Sequence, residues 1–185
     1  MAGAAPSAIA VAFAITAPFV LALAAVCGAA VPLTVPPSEA SSSTIEIRIA
    51  PGALDIAVVV HISDVAHELS INPPERLLEA DTLAREGDSV VYLVKQGLQI
   101  SAGIHSLGEG SWSEPEPLPD QQSLRLRAHY DVGGPPGVVT IDAKLFAYDH
   151  AHQTLLNIYD GDALQTKAIL DRTHPHFLYF AANQE

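Results

Sequence analysis

The chain has 185 residues and carries 9 Lys and Arg against 21 Asp and Glu, a net charge of −12. Every basic residue lies at or after Arg48, so this charge belongs to the downstream part, where it repels phosphate backbones and anionic lipid heads and argues against nucleic-acid binding. The single cysteine, Cys27, rules out a disulfide framework within one chain.

Ala8 to Ala30 is uncharged and dominated by Ala, Val, Leu, Ile and Phe. A helix of that length reaches about 30 Å, enough to cross a bilayer. Three readings stay open. A signal peptide would be cleaved after Gly28-Ala29-Ala30, an uncleaved anchor would keep the segment in the membrane, and Leu23 to Cys27 could serve as a lipoprotein site. No Lys or Arg precedes the segment, which leaves its orientation weakly specified. All three place the later residues outside the cytoplasm, in a periplasm-like compartment. Residues 1–30 are thus expected to be a signal peptide or membrane anchor, 31–43 a Pro/Ser-rich linker, and 44–185 an extracytoplasmic domain.

From Thr44 to Ile49 the isoleucines alternate with Glu46 and Arg48, the pattern of a half-buried strand. Pro51-Gly52 then turns the chain into a second strand, Leu54 to Ile62. Asp64 to Leu69 reads as a short helical turn. Pro73-Pro74 suits a helix start, with Leu77, Leu78 and Leu83 on its apolar face. Asp88 or Ser89 is positioned to cap a helix over Val90 to Gln96 that ends at Gly97. Leu98 to Ala102 is a strand, and Gly108 to Pro119 a loop holding the only tryptophan, Trp112. Ser123 to Tyr130 alternates Leu124, Leu126 and Ala128 against Arg125, Arg127 and His129. After the Gly133 to Gly137 turn come strands over Val138 to Phe146, Thr154 to Tyr159, Ala163 to Leu170 and Phe177 to Ala181, with Asp160-Gly161 making a tight hairpin. This spacing predicts a mostly β domain, an antiparallel β-sandwich of about eight strands with a short helical insertion.

Three segments carry a family resemblance: Asp64 to Leu69 (DVAHEL), Gln122 to Tyr130 (QSLRLRAHY), and the run Tyr148-Asp149, His152-Gln153-Thr154, Asn157 to Gly161 (NIYDG) and Ala168 to Asp171 (AILD). Together they resemble the extracytoplasmic domain that precedes the membrane helices of HupE/UreJ-type proteins, over roughly Thr44 to Gln184. The family is associated with hydrogenase and urease loci and with nickel handling. The resemblance implies a non-enzymatic extracytoplasmic domain working beside a membrane-embedded module, with an accessory interaction or metal-handling role. Those membrane helices have no counterpart in this sequence, and His150 departs from the family pattern, so only location, domain type and a metal association carry over.

Eight histidines supply the metal signal. His150 and His152 form one HxH pair, His174 and His176 another. Residues two apart on a strand share a face, and imidazole ligands suit nickel, zinc and copper. Asp149 and Asp171 lie near the pairs in sequence. The competing reading is a set of polar residues at strand ends and turns, with Pro175 distorting the second pair. A second group, His61, Asp64, His67 and Glu68, lacks the second histidine of HExxH and reads as capping at the end of the first hairpin. No Gly-x-Ser-x-Gly elbow occurs, Glu114 and Glu116 sit in a Pro-broken loop, and Gly133-Gly134 is followed by two prolines that lack the N–H donors of a phosphate loop. Trp112 with Pro115, Pro117, Leu118 and Pro119 is either a partner patch or a loop anchored over a sheet. The alternatives to an accessory domain are a stand-alone periplasmic metal-binding protein using the HxH pairs and a hydrolase built on a site that a single sequence does not reveal.

Overall fold

The structure is a computed structural model that describes residues 42–103, 105–107 and 110–181. The signal or anchor segment and all but the last two residues of the linker lie outside these. The described residues are mostly β, in two sheets with two helices. No helix among them is long and apolar enough to cross a membrane.

The first sheet is built on the hairpin β1 (Ser42–Ala50) and β2 (Ala53–His61), in which Ile47 faces Ile56 across the ladder. β7 (Ser123–Asp131) adds to β2 antiparallel. On the other side β9 (Gln153–Asp160) adds to β1, followed by β10 (Ala163–Leu170). β1 and β9 run parallel, with Ser42 opposite Gln153 and Ile49 opposite Asp160. The expected all-antiparallel arrangement therefore fails at one pair. β9 enters the sheet after a long excursion, not by a hairpin, so nothing local fixes its direction. The second sheet has the order β11 (His176–Phe180), β8 (Val138–Ala143), β3 (Leu98–Ala102), β4 (His105–Ser106).

The period-2 pattern decides what is buried. Ile45, Ile47 and Ile49 of β1, Leu54, Ile56, Val58 and Val60 of β2, Leu124 and Leu126 of β7, and Leu156 and Ile158 of β9 all turn to one face. They join Ile100 of β3 and Val139 and Ile141 of β8 in a single buried cluster. Val65 and Ala66 of α1 (Ile62–Leu69) and Val90 and Val94 of α2 (Ala80–Gly97) pack into the same cluster. Replacing one fully enclosed isoleucine here by alanine is expected to cost about 2–5 kcal/mol.

Three boundaries differ from the sequence expectation. Pro74–Leu78 forms a short 3₁₀ turn, and α2 then runs unbroken from Ala80, so Asp88 and Ser89 lie inside a helix instead of capping one. Thr82, Val90 and Val94 are buried at helical spacing, and their packing outweighs the poor propensity of Gly87-Asp88-Ser89. The Gly108 to Pro119 loop contributes two short strands, β5 (Ser111–Trp112) and β6 (Glu116–Leu118), both paired to β7. They cover what would otherwise be an open edge. β8 stops at Ala143 instead of Phe146, because Lys144 N–H turns away to donate to Gly97 C=O at 2.7 Å.

The end of α2 thus depends on a close approach. A Cβ on Gly97 would meet Leu145 Cδ2 at 2.8 Å and the Leu145 backbone at 3.2 Å. Gly97→Ala is therefore expected to destabilise the protein by about 1–3 kcal/mol, because backbone and a buried side chain must both move. Denaturant unfolding checks this against Gly137→Ala, whose added Cβ meets nothing within 4 Å and whose backbone is not left-handed.

Candidate functional site

Two connections lie side by side at one end of the molecule. One, residues 144–152, joins β8 to β9, and the other, residues 171–175, joins β10 to β11. Ala143 N–H donates to Pro175 C=O at 2.9 Å, and the Arg172 guanidinium touches the His150 ring. Asp149 and Asp171 shape the turns by accepting backbone N–H groups two and three residues ahead. Asp149 Oδ1 takes Ala151 N–H at 2.8 Å, and Asp171 Oδ1 takes Thr173 and His174 N–H at 2.7 and 2.8 Å. These bonds hold the Asp171 carboxyl below the usual range, so it stays ionised. Between the connections opens a cleft of about 280 Å³.

Behind the cleft runs a chain of polar side chains through the core. Extending the inward register of β1 by one step places Ser43 inside, fully buried. Its Oγ lies 3.1 Å from His152 Nε2. His152 Nδ1 lies 3.7 Å from Asp64 Oδ2, both side chains being buried. Asp64 stands in the first turn of α1, where the helix N-terminus favours an anion. Its other oxygen accepts from Tyr148 O–H at 2.7 Å, and the Tyr148 ring stacks on His67 with centroids 3.8 Å apart. Burial, and then the Asp64 carboxylate, push the Tyr148 phenol far above its ordinary range. The chain joins β1, α1 and the β8–β9 connection.

The four candidate metal ligands lie on these two connections and at the start of β11, but not as matched pairs. His150 is exposed in a turn and His152 is buried before β9 begins, so the two do not share a strand face. His174 and His176 are exposed on either side of buried Pro175. His174 Nδ1 lies 3.5 Å from Asp171, and His176 Nδ1 lies 3.5 Å from Asp142. Among the described residues no group of three or more His, Cys, Asp or Glu side chains is arranged to hold a metal ion. His61 caps α1 through its Nδ1, which accepts Ser63 N–H, as the capping reading expects. Trp112 is half-buried against the core, and its Nε1–H donates to Tyr130 O–H at 3.1 Å, which favours the anchored-loop reading.

Ser43, His152 and Asp64 meet in the order and roles of a nucleophile, a base and an orienting carboxylate. Sequence reasoning placed Ser43 in the linker and missed it. The available signal was the alternation of Ile45, Ile47 and Ile49 carried two residues back. Here the serine sits in a regular strand and is buried from solvent.

A second recess of about 540 Å³ lies on the outer face of the first sheet, lined by Arg48, Asp55, Trp112, Arg127 and His129 among others. Arg48 lies over the Tyr159 ring and pairs with Asp162, Arg127 pairs with Glu116, and His129 pairs with Asp55. The bond to Asp55 raises the His129 imidazole above its ordinary value.

Burial pushes the His152 imidazole below its ordinary 6.5, against the pull of Asp64 and Asp149. The unfolded chain then binds a proton near pH 6.5 that the folded protein accepts only at lower pH. Stability from this group is complete above that value and falls as the solution is acidified. His129, raised by Asp55, has the opposite sign and stabilises at acid pH. Denaturant unfolding between about pH 7.5 and pH 5 is therefore expected to show a shallower acid loss in His152→Gln than in the wild type. An unchanged slope would exclude His152 as the source. At neutral pH, Tyr148→Phe removes a donor from the buried Asp64 carboxylate and is expected to cost about 1–3 kcal/mol.

No family model and no curated protein matches this chain in sequence.

Proposed function

We propose that the chain is a non-enzymatic extracytoplasmic domain of HupE/UreJ type, its two sheets forming a β-sandwich, and that it works as an accessory interaction module beside a membrane-embedded partner. The reading of the family rests on the resemblance in DVAHEL, QSLRLRAHY and the closing strands, which here form most of α1, β7, and β9 with β10.

One observation carries the interaction role. On the outer face of the first sheet, Ile169, Leu155, Thr44 and Val59 stand directly opposite one another across four strands. Ile169 is 58% and Leu155 40% exposed, and Leu164 on the same sheet is 44% exposed. Both helices give their buried apolar residues to the common core. The adjoining Leu155 and Ile169, with Val59 beyond the Thr44 methyl, on an exposed sheet face mark a contact surface. The sealed Ser43 hydroxyl supports a non-enzymatic role over the hydrolase alternative. The separate carboxylate partners of His174 and His176, and the unlike settings of His150 and His152, support interaction ahead of metal handling by nickel, zinc or copper.

A photoreactive amino acid placed at Ile169 in the full-length protein, expressed in its host membranes, is expected to cross-link to a membrane protein. The same group at Tyr92, exposed on α2, is expected not to. No adduct at position 169, or equal adducts at both positions, would overturn the interaction surface. The hydrolase alternative has its own readout. A fluorophosphonate probe is expected to leave Ser43 unlabelled, and stoichiometric labelling lost in Ser43→Ala would establish an accessible nucleophile.

A further inference from the structure

The cleft between the β8–β9 and β10–β11 connections is explained neither by the polar chain behind it nor by the outer sheet face. It reaches the core, because Ala143, Leu145 and Leu170 in its walls are buried. Its base holds two buried polar residues. His152 directs its nitrogens to Ser43 and Asp64, whereas Thr154, only 3% exposed, makes no side-chain hydrogen bond among the described residues.

The mouth carries charges of both signs: Lys144 and Arg172 against Asp149 and Asp171. Lys144 Nζ is already paired with Asp142 at 2.9 Å. Arg172 rests on the His150 ring and has no carboxylate partner among the described residues. A simple anion in this cleft would face two carboxylates, and a simple cation two basic groups. A molecule bearing both charges pairs with both. The apolar walls favour an uncharged hydrocarbon group, and about 280 Å³ lies just below the usual range for drug-sized ligands, which limits the occupant to a small molecule.

The geometry points to a binding site for a small zwitterion, an apolar free amino acid, with its carboxylate at Arg172, its ammonium at Asp171 and its side chain between the apolar walls. Arg172 suits the first role, because a guanidinium binds a carboxylate through two parallel hydrogen bonds. The ionised Asp171, fixed by backbone donors, suits the second.

Isothermal titration of the full-length protein with three probes tests this. L-leucine carries both charges, 4-methylpentanoate lacks the ammonium, and isoamylamine lacks the carboxylate. L-leucine is expected to bind, each truncated probe about tenfold or more weaker, and Arg172→Gln to weaken leucine by a similar factor. Arg172 is exposed, so the variant is expected to fold, and its unfolding curve confirms this. Three results would each overturn the assignment: no leucine binding up to about 10 mM, equal binding of either truncated probe, or wild-type affinity in a folded Arg172→Gln.

Discussion

β1 is hydrogen-bonded on both sides, and its two neighbours run in opposite senses. β2 arrives by a two-residue turn and pairs antiparallel, while β9 returns after about a hundred residues and pairs parallel. A parallel partner must enter at the same end as the strand it joins, so after β7 the chain leaves the first sheet, adds β8 to the second, and comes back to where β1 begins. That requirement places the β8–β9 connection beside Ser43. Both the polar chain and the cleft depend on it, because His152 stands immediately before β9 and Ser43 lies at the start of β1.

The polar chain then holds that end together. Asp64, Ser43 and His152 are removed from water, and a buried carboxylate or imidazole is tolerated only with partners. Asp64 receives the Tyr148 hydroxyl on one oxygen, while the other oxygen lacks a hydrogen bond and faces His152 at 3.7 Å. A long contact of this kind stabilises less than a short one, so burial outweighs it and holds the His152 imidazole below its ordinary range. The same residues in a solvent-open strand-to-helix elbow would read as catalytic. Enclosed in a sheet, they link β1, α1 and the β8–β9 connection.

Two surfaces of different character stand out on this scaffold. The outer sheet face is broad, with an apolar row beside paired charges, and suits a macromolecular contact. The cleft is small and deep, with opposite charges at its mouth, and suits a small molecule. The two share β9 and β10: Leu155 and Ile169 face outward, while Thr154 and Leu170, their neighbours in the chain, line the cleft. Strand alternation therefore presents two chemistries from adjacent residues.

The sequence by itself determined the strands and their inward faces. Ile45 to Ile49, Leu124 to Ala128 and the Asp160-Gly161 hairpin are all local patterns, in which side-chain period and turn chemistry act within a few residues. It did not determine the length of α2, where Gly87 to Ser89 look like a break until Val90 and Val94 find a core to bury in. Nor did it reveal β5 and β6, which exist only because β7 offers an edge. Of the site, the histidines were visible as residues but not as surroundings: HxH spacing implies a shared face only if both members lie on a strand, and the tertiary structure put His150 in a turn and His152 in the core. Ser43, Asp64 and His152 meet across more than a hundred residues through the parallel β1–β9 pairing. Local periodicity sets which side chains turn inward, but only the packed chain decides which of them meet.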